Sequence, residues 1–178
     1  GLPPAPPLNL ERGALAATVF AWALRRETPA WGTHVSAGFR VEGPAWSYDR
    51  WQSGAESVEV RWRTSARDRL EIVLGGAAPA DAKTHTVRVL ALEGDALRAE
   101  VDGEIVSWRL VKRPARGAAP TATVEDGDVV YVHLGDGEAV VSLVPRHPAP
   151  HVAMDEPGAC VAPMPGKVAK VKTEIGKS

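Results

Sequence analysis

Ala14-Leu15-Ala16-Ala17-Thr18-Val19-Phe20-Ala21-Trp22-Ala23-Leu24 is apolar on nearly every side of the helix it would form. A helix lying on a protein surface keeps a polar stripe, whereas one that is hydrophobic all round has to be buried all round. The flanks set its limits at residues 9–27. Asn9 is an N-cap residue, Glu11 suits the positive end of the helix dipole and Arg25-Arg26 the negative end. Pro29 stops it. The alanines at 14, 16, 17, 21 and 23 let surrounding backbone approach closely.

From about Thr28 to Gly54 no periodicity stands out, and Gly, Pro, Ser and Trp are plentiful. The tryptophans there (Trp31, Trp46, Trp51) read either as caps on the open end of a barrel or as a partner surface. Beyond Glu56 the chain alternates as half-buried strands do. Val58, Val60 and Trp62 interleave with Glu59, Arg61 and Arg63, and Leu70, Ile72 and Leu74 follow. Further strands are expected over Thr84–Leu92, Leu97–Val101, Ile105–Val111, Val129–Leu134 and Glu138–Val144. Asp102-Gly103 is a two-residue hairpin signal. Short strands near Val35–Val41 and Ala122–Val124 bring the total to eight or nine. The connections look short, which favours antiparallel pairing. One helix with no wet side and about eight such strands pack naturally as a mainly β, α+β architecture: an antiparallel barrel closed around a central helix. A two-layer sandwich would leave one helix face in water.

Composition narrows the function classes. With 21 basic and 22 acidic residues the net charge is −1, which gives no electrostatic footprint for nucleic acid and no polybasic face for a membrane. No apolar run approaches the roughly 18–20 residues that span a bilayer. The single Cys160 fits a reducing compartment, so a cytoplasmic protein is expected. His147 and His151 are four apart, but Pro148 and Pro150 forbid the helix that would bring them to one face. His34 is a further candidate alongside them, and His85 and His133 lie in expected strands, where they read as surface or satisfied core residues. No Gly-x-Ser-x-Gly elbow and no phosphate-binding loop is present. No catalytic, cofactor or metal site is expected among these residues.

The tail carries the most specific string. Val161-Ala162-Pro163-Met164-Pro165-Gly166-Lys167-Val168 resembles the opening of a biotinyl carrier domain, with Ala162, Pro163, Met164, Pro165 and Gly166 its distinctive part. The order of segments resembles the C-terminal part of the alpha subunit of biotin-dependent acyl-CoA carboxylases, the propionyl-, methylcrotonyl-, geranyl- and long-chain acyl-CoA enzymes. Ser36-Ala37-Gly38-Phe39-Arg40 is similar to that family's Ser-Gly-Trp-Arg-Asn segment, with Phe39 in place of Trp and Val41 in place of Asn. The resemblance implies a non-catalytic subunit-docking (BT) domain over 9–145, after a proline-rich linker at 1–8. Within it lie a helix at 9–27, a hook-like docking loop at 28–35 (Thr28, Pro29, Ala30, Trp31, Gly32, Thr33, His34, Val35) and a barrel at 36–144. A Pro-rich linker at 146–158 and a truncated carrier start at 159–178 complete the layout. It also implies partners, the carboxyltransferase beta subunit and the biotin carboxylase domain of the parent enzyme. Biotin, ATP, Mg and bicarbonate belong to that parent, an ATP-dependent ligase, and none is expected to bind this fragment.

Two other functions fit parts of the sequence. A lipocalin-like barrel binding a small apolar ligand would need an empty lumen, and a lipoyl carrier start would fit Ala162–Gly166 less well. The biotin-accepting lysine of carriers sits in an Ala-Met-Lys-Met turn, and neither Met154 nor Met164 precedes a lysine. Incubation with a biotin ligase, biotin and ATP is therefore expected to leave the mass of the 178-residue chain unchanged; a biotin-sized increase contradicts this.

Overall fold

The structure, a computed structural model, describes residues 9–27, 46–75 and 84–146. The chain divides into two units, Gly1–Pro148 and Ala149–Ser178, and all described residues belong to the first. Helix α1 spans Leu10–Glu27. Asn9 caps it as the sequence suggests: its Oδ1 accepts the Glu11 N–H at 2.6 Å, satisfying one of the donors that a helix start leaves over. Every residue from Gly13 to Ala23 is buried.

What buries them is a closed barrel of eight strands in chain order. These are β1 (Ser47–Ser53), β2 (Glu56–Ala66), β3 (Arg69–Leu74), β4 (Thr84–Glu93), β5 (Ala96–Val101), β6 (Glu104–Arg113), β7 (Val129–Leu134) and β8 (Gly137–Leu143). Each pairs antiparallel with the next, and β1 meets β8 through Trp51↔Leu143 and Gln52↔Ser142. Tight turns make most of the connections. The β5–β6 pairing closes at Val101↔Glu104, leaving Asp102-Gly103 as a two-residue loop with φ of 51° and 92°. Both values lie in the left-handed region that the primed hairpin turns require. Helix α1 packs against β1, β2, β3, β4, β6, β7 and β8, so it is the axis of the barrel. Val60, Leu70, Ile72, Val87, Leu97, Leu110, Val130 and Val141 point inward and are buried around it.

The narrowness of this lumen explains the alanines. An eight-stranded barrel is ordinarily just wide enough for its own side chains. It admits a helix only if that helix is slim on most sides. Ala14, Ala16, Ala17 and Ala21 are essentially inaccessible, while Trp22, Val19 and Phe20 fill the remaining space. The tightest approach is at Gly13, where a Cβ would lie 2.8 Å from the Ala139 Cβ and 3.4 Å from Val141 Cγ1 of β8.

Two expectations are corrected. Ala122–Val124 is not a strand; it belongs to the β6–β7 connection, where Val124 is 1% exposed as a single apolar anchor. Conversely, the stretch read as irregular up to Gly54 contains β1. Trp51 does not cap an open end but is fully buried in that strand. The strand expected near Val35–Val41 lies outside the described residues.

Strand directions fix which features share an end. Arg12 makes a two-pronged ion pair with Asp136 of the β7–β8 turn, at 2.9 and 3.1 Å, so the helix starts at the end carrying that turn. The helix therefore finishes at the opposite rim, where β1 begins and β8 ends.

Gly13→Ala should raise helix propensity by about 1 kcal/mol, yet it forces two backbone-fixed Cβ atoms together. A net loss of about 1–3 kcal/mol is expected in urea unfolding, as for other overpacked sites, with Gly13→Ala/Ala139→Gly recovering part of it. A gain in stability from Gly13→Ala alone would contradict this packing.

Candidate functional site

The rim at which α1 ends is the candidate site, because the chain leaves it at Glu27 and returns to it at Trp46. The hook-like residues Thr28, Pro29, Ala30, Trp31, Gly32, Thr33, His34 and Val35 lie between those points, outside the described residues. So do Ala162, Pro163, Met164, Pro165 and Gly166, together with His147, His151 and Cys160. The described rim shows how both feet of the intervening segment are held.

Three arginine–tryptophan contacts lie at these feet. The Arg26 guanidinium lies 4.7 Å from the centre of the Trp22 ring, Arg25 lies 5.9 Å from Trp62, and Arg63 lies 4.8 Å from Trp46. A guanidinium over an indole face is drawn by the ring quadrupole, at about 0.5–1 kcal/mol when exposed. Arg25 and Arg26 also sit in the last turn of α1, where their charge complements the helix dipole. Arg63 is held from its other side by Glu71, which accepts its Nε–H at 2.7 Å.

Each indole of this region that points inward has its N–H satisfied. Trp22 Nε1 donates to Thr64 Oγ1 at 3.1 Å, and Trp51 Nε1 donates to Thr18 Oγ1 at 2.8 Å. Trp62 Nε1 donates to Asp49 Oδ2 at 2.6 Å. Asp49 is 3% exposed, and its other oxygen accepts from Arg146 Nη2 at 2.6 Å. A buried carboxylate without partners would be costly; this one has two, one on each oxygen.

The neighbouring β6–β7 connection is organised by Lys112 and Asp128. Lys112 Nζ donates to the Thr121 carbonyl at 2.6 Å, to its hydroxyl at 3.0 Å and to the Thr123 carbonyl at 2.6 Å. Asp128, 2% exposed, accepts the Ala115 and Glu125 backbone N–H groups, each at 3.0 Å. These contacts replace the strand pairing expected around Ala122–Val124.

The histidines within the described residues are accounted for structurally. His85 Nδ1 lies 2.7 Å from Asp102 Oδ2, while His133 is exposed and 3.4 Å from Glu138. Among the described residues no group of three or more His, Cys, Asp or Glu could hold a metal ion. No helix among them is long and apolar enough to cross a membrane. No protein-family model and no curated protein matches the sequence.

Sequence reasoning missed Asp49 and Arg146. Both are ordinary charged residues in stretches of mixed composition, and only the closure of β1 on β8 brings them together across 97 positions. Ser47-Tyr48-Asp49-Arg50-Trp51-Gln52 alternates in burial, but two of its inward residues are polar, so its hydropathy carries no strand signal.

Charge also links the strands on the outside. The Arg88 side chain, bonded to Asp68 at 2.7 Å, holds the Asp68 carboxyl below its ordinary value and is itself raised in return. Arg12 lowers Asp136 in the same way. A carboxyl depressed on folding stabilises above its unfolded value of about 3.9, and that contribution disappears as pH falls through the lower folded value. Lowering pH from about 5 to about 2 should therefore reduce the melting temperature more in the native chain than in Asp68→Asn/Asp136→Asn. Added salt should narrow the difference. Parallel pH profiles at low salt would contradict it.

Proposed function

We propose that this chain is the subunit-docking domain of a biotin-dependent acyl-CoA carboxylase alpha subunit, followed by the start of its biotinyl carrier. The observation that carries this is the eight-stranded antiparallel barrel closed around a single buried helix. It is the architecture that the Ala162–Gly166 string and the order of segments imply. In this role the domain performs no chemistry. Thr28–Val35 docks the carboxyltransferase beta subunit, and residues 146–158 tether the carrier. The parent enzyme is a cytoplasmic, ATP-dependent ligase that uses biotin, Mg and bicarbonate.

The physical contribution is effective concentration. A carrier tied by about a dozen residues near two active sites samples them at millimolar-range local concentration, without any new contact. The rim supports this role because the feet of 28–45 and the departure of the C-terminal segment lie at the same end of the barrel. The filled lumen favours docking over the apolar-ligand alternative, since α1 occupies the volume that a lipocalin-like ligand would need.

Co-purification with a carboxyltransferase beta subunit tests the proposal. The chain should retain it, and Trp31→Ala should weaken retention by at least about tenfold, the effect of removing an aromatic anchor worth more than about 1.4 kcal/mol. No retention by the native chain, with the barrel folded by circular dichroism, would overturn it.

A further inference from the structure

We propose that Asp49 is a latch that pins the root of the C-terminal segment to the rim carrying the docking loop. This rests on the reading of 146–158 as a tether and adds a residue that sets where the tether begins. Asp49 occupies an inward position of β1, three residues after the docking segment returns at Trp46. One carboxylate oxygen takes the Trp62 indole N–H at 2.6 Å, and Trp62 in turn lies beneath Arg25 at the end of α1. The other oxygen takes Arg146 Nη2 at 2.6 Å. A single buried group thus joins the end of α1, the start of β1 and the point where the chain leaves the barrel.

The seam it spans needs such a bond. β1 and β8 share only the register pairs Trp51↔Leu143 and Gln52↔Ser142, whereas β1 and β2 pair along the whole of β1. After Leu143 only the Val144 N–H to Arg50 carbonyl bond, at 2.8 Å, and the longer Arg146 N–H to Asp126 contact, at 3.3 Å, continue the attachment. With the ion pair intact the tether starts after Arg146. Without it the Val144 and Arg146 N–H bonds are left to fray, so the tether can start as early as after Leu143 and gain up to three residues, about 10 Å of reach when extended. Effective concentration depends on how tether length matches the distance to be spanned, so the latch tunes how often a carrier visits each site.

Asp49→Asn tests this in the full chain, because the asparagine oxygen still accepts from Trp62 while the charge that holds Arg146 is gone. In the native chain the Arg146 side chain is engaged, so trypsin should cut the Arg146–His147 bond slowly. In Asp49→Asn, cleavage there should accelerate by about tenfold or more, and hydrogen exchange at the Val144 amide should accelerate with it. Equal cleavage rates in the two proteins would overturn the latch. Should Asp49→Asn fail to fold, Arg146→Ala is read by Val144 exchange alone, and unchanged exchange overturns it equally. Neither measurement involves a partner or a carrier. The latch can therefore fail while beta-subunit retention holds, and the reverse.

Discussion

The structure depends on burying the whole circumference of α1. A helix in water keeps one face wet, and its sequence normally shows that face as a polar stripe. Here Gly13 through Ala23 has no wet face, so strands must surround it on every side. The solution is a sheet that closes on itself, which also removes the exposed edges that invite aggregation. The one hydroxyl in the middle of the buried stretch, Thr18, would be costly if unpaired, and the Trp51 indole meets it. Glycine and alanine set how close the walls can come, and the larger Trp22 and Phe20 fill what is left.

Much of this is legible in the sequence. The helix limits followed from Asn9, Arg25-Arg26 and the apolar body, and the burial of that body led directly to a barrel. Seven strands showed themselves, some because Val, Ile, Leu and Trp alternate with charge, as in β2, and the last two because Asp126-Gly127 and Gly135-Asp136-Gly137 mark their turns. β1 did not, since its inward positions include Ser47 and Asp49, and hydropathy cannot mark an inward serine or a paired aspartate. Ala122–Val124 misled for the opposite reason. Threonine and valine have strand propensity, but Lys112 and Asp128 bind that segment's backbone first, and a local polar bond outcompetes propensity.

The candidate site was half legible. The tryptophans and the arginines at the helix end were visible as residues, and an irregular aromatic-rich segment suggested a partner surface. Their pairing was not, because Arg25 with Trp62 and Arg63 with Trp46 depend on how β2 passes the end of α1. The Asp49–Arg146 pair lies still further from sequence reasoning, being created only by ring closure. The described part of this rim holds the ends of segments in place through ion pairs, indole N–H bonds and guanidinium groups over indole rings.

Nearest-neighbour connectivity has a consequence for how the molecule assembles. Every strand pairing except β1 with β8 joins sequence neighbours, so hairpins can form early and at low entropic cost. Among the described strands, closing the ring is the one long-range pairing. A finished cylinder offers no gap through which an 18-residue helix could be threaded afterwards. The rod must be seated while the cylinder is still open, and since it precedes all the described strands it leaves the ribosome before them. It then waits, oily and uncovered, for its staves to arrive, which makes it the segment a chaperone would hold.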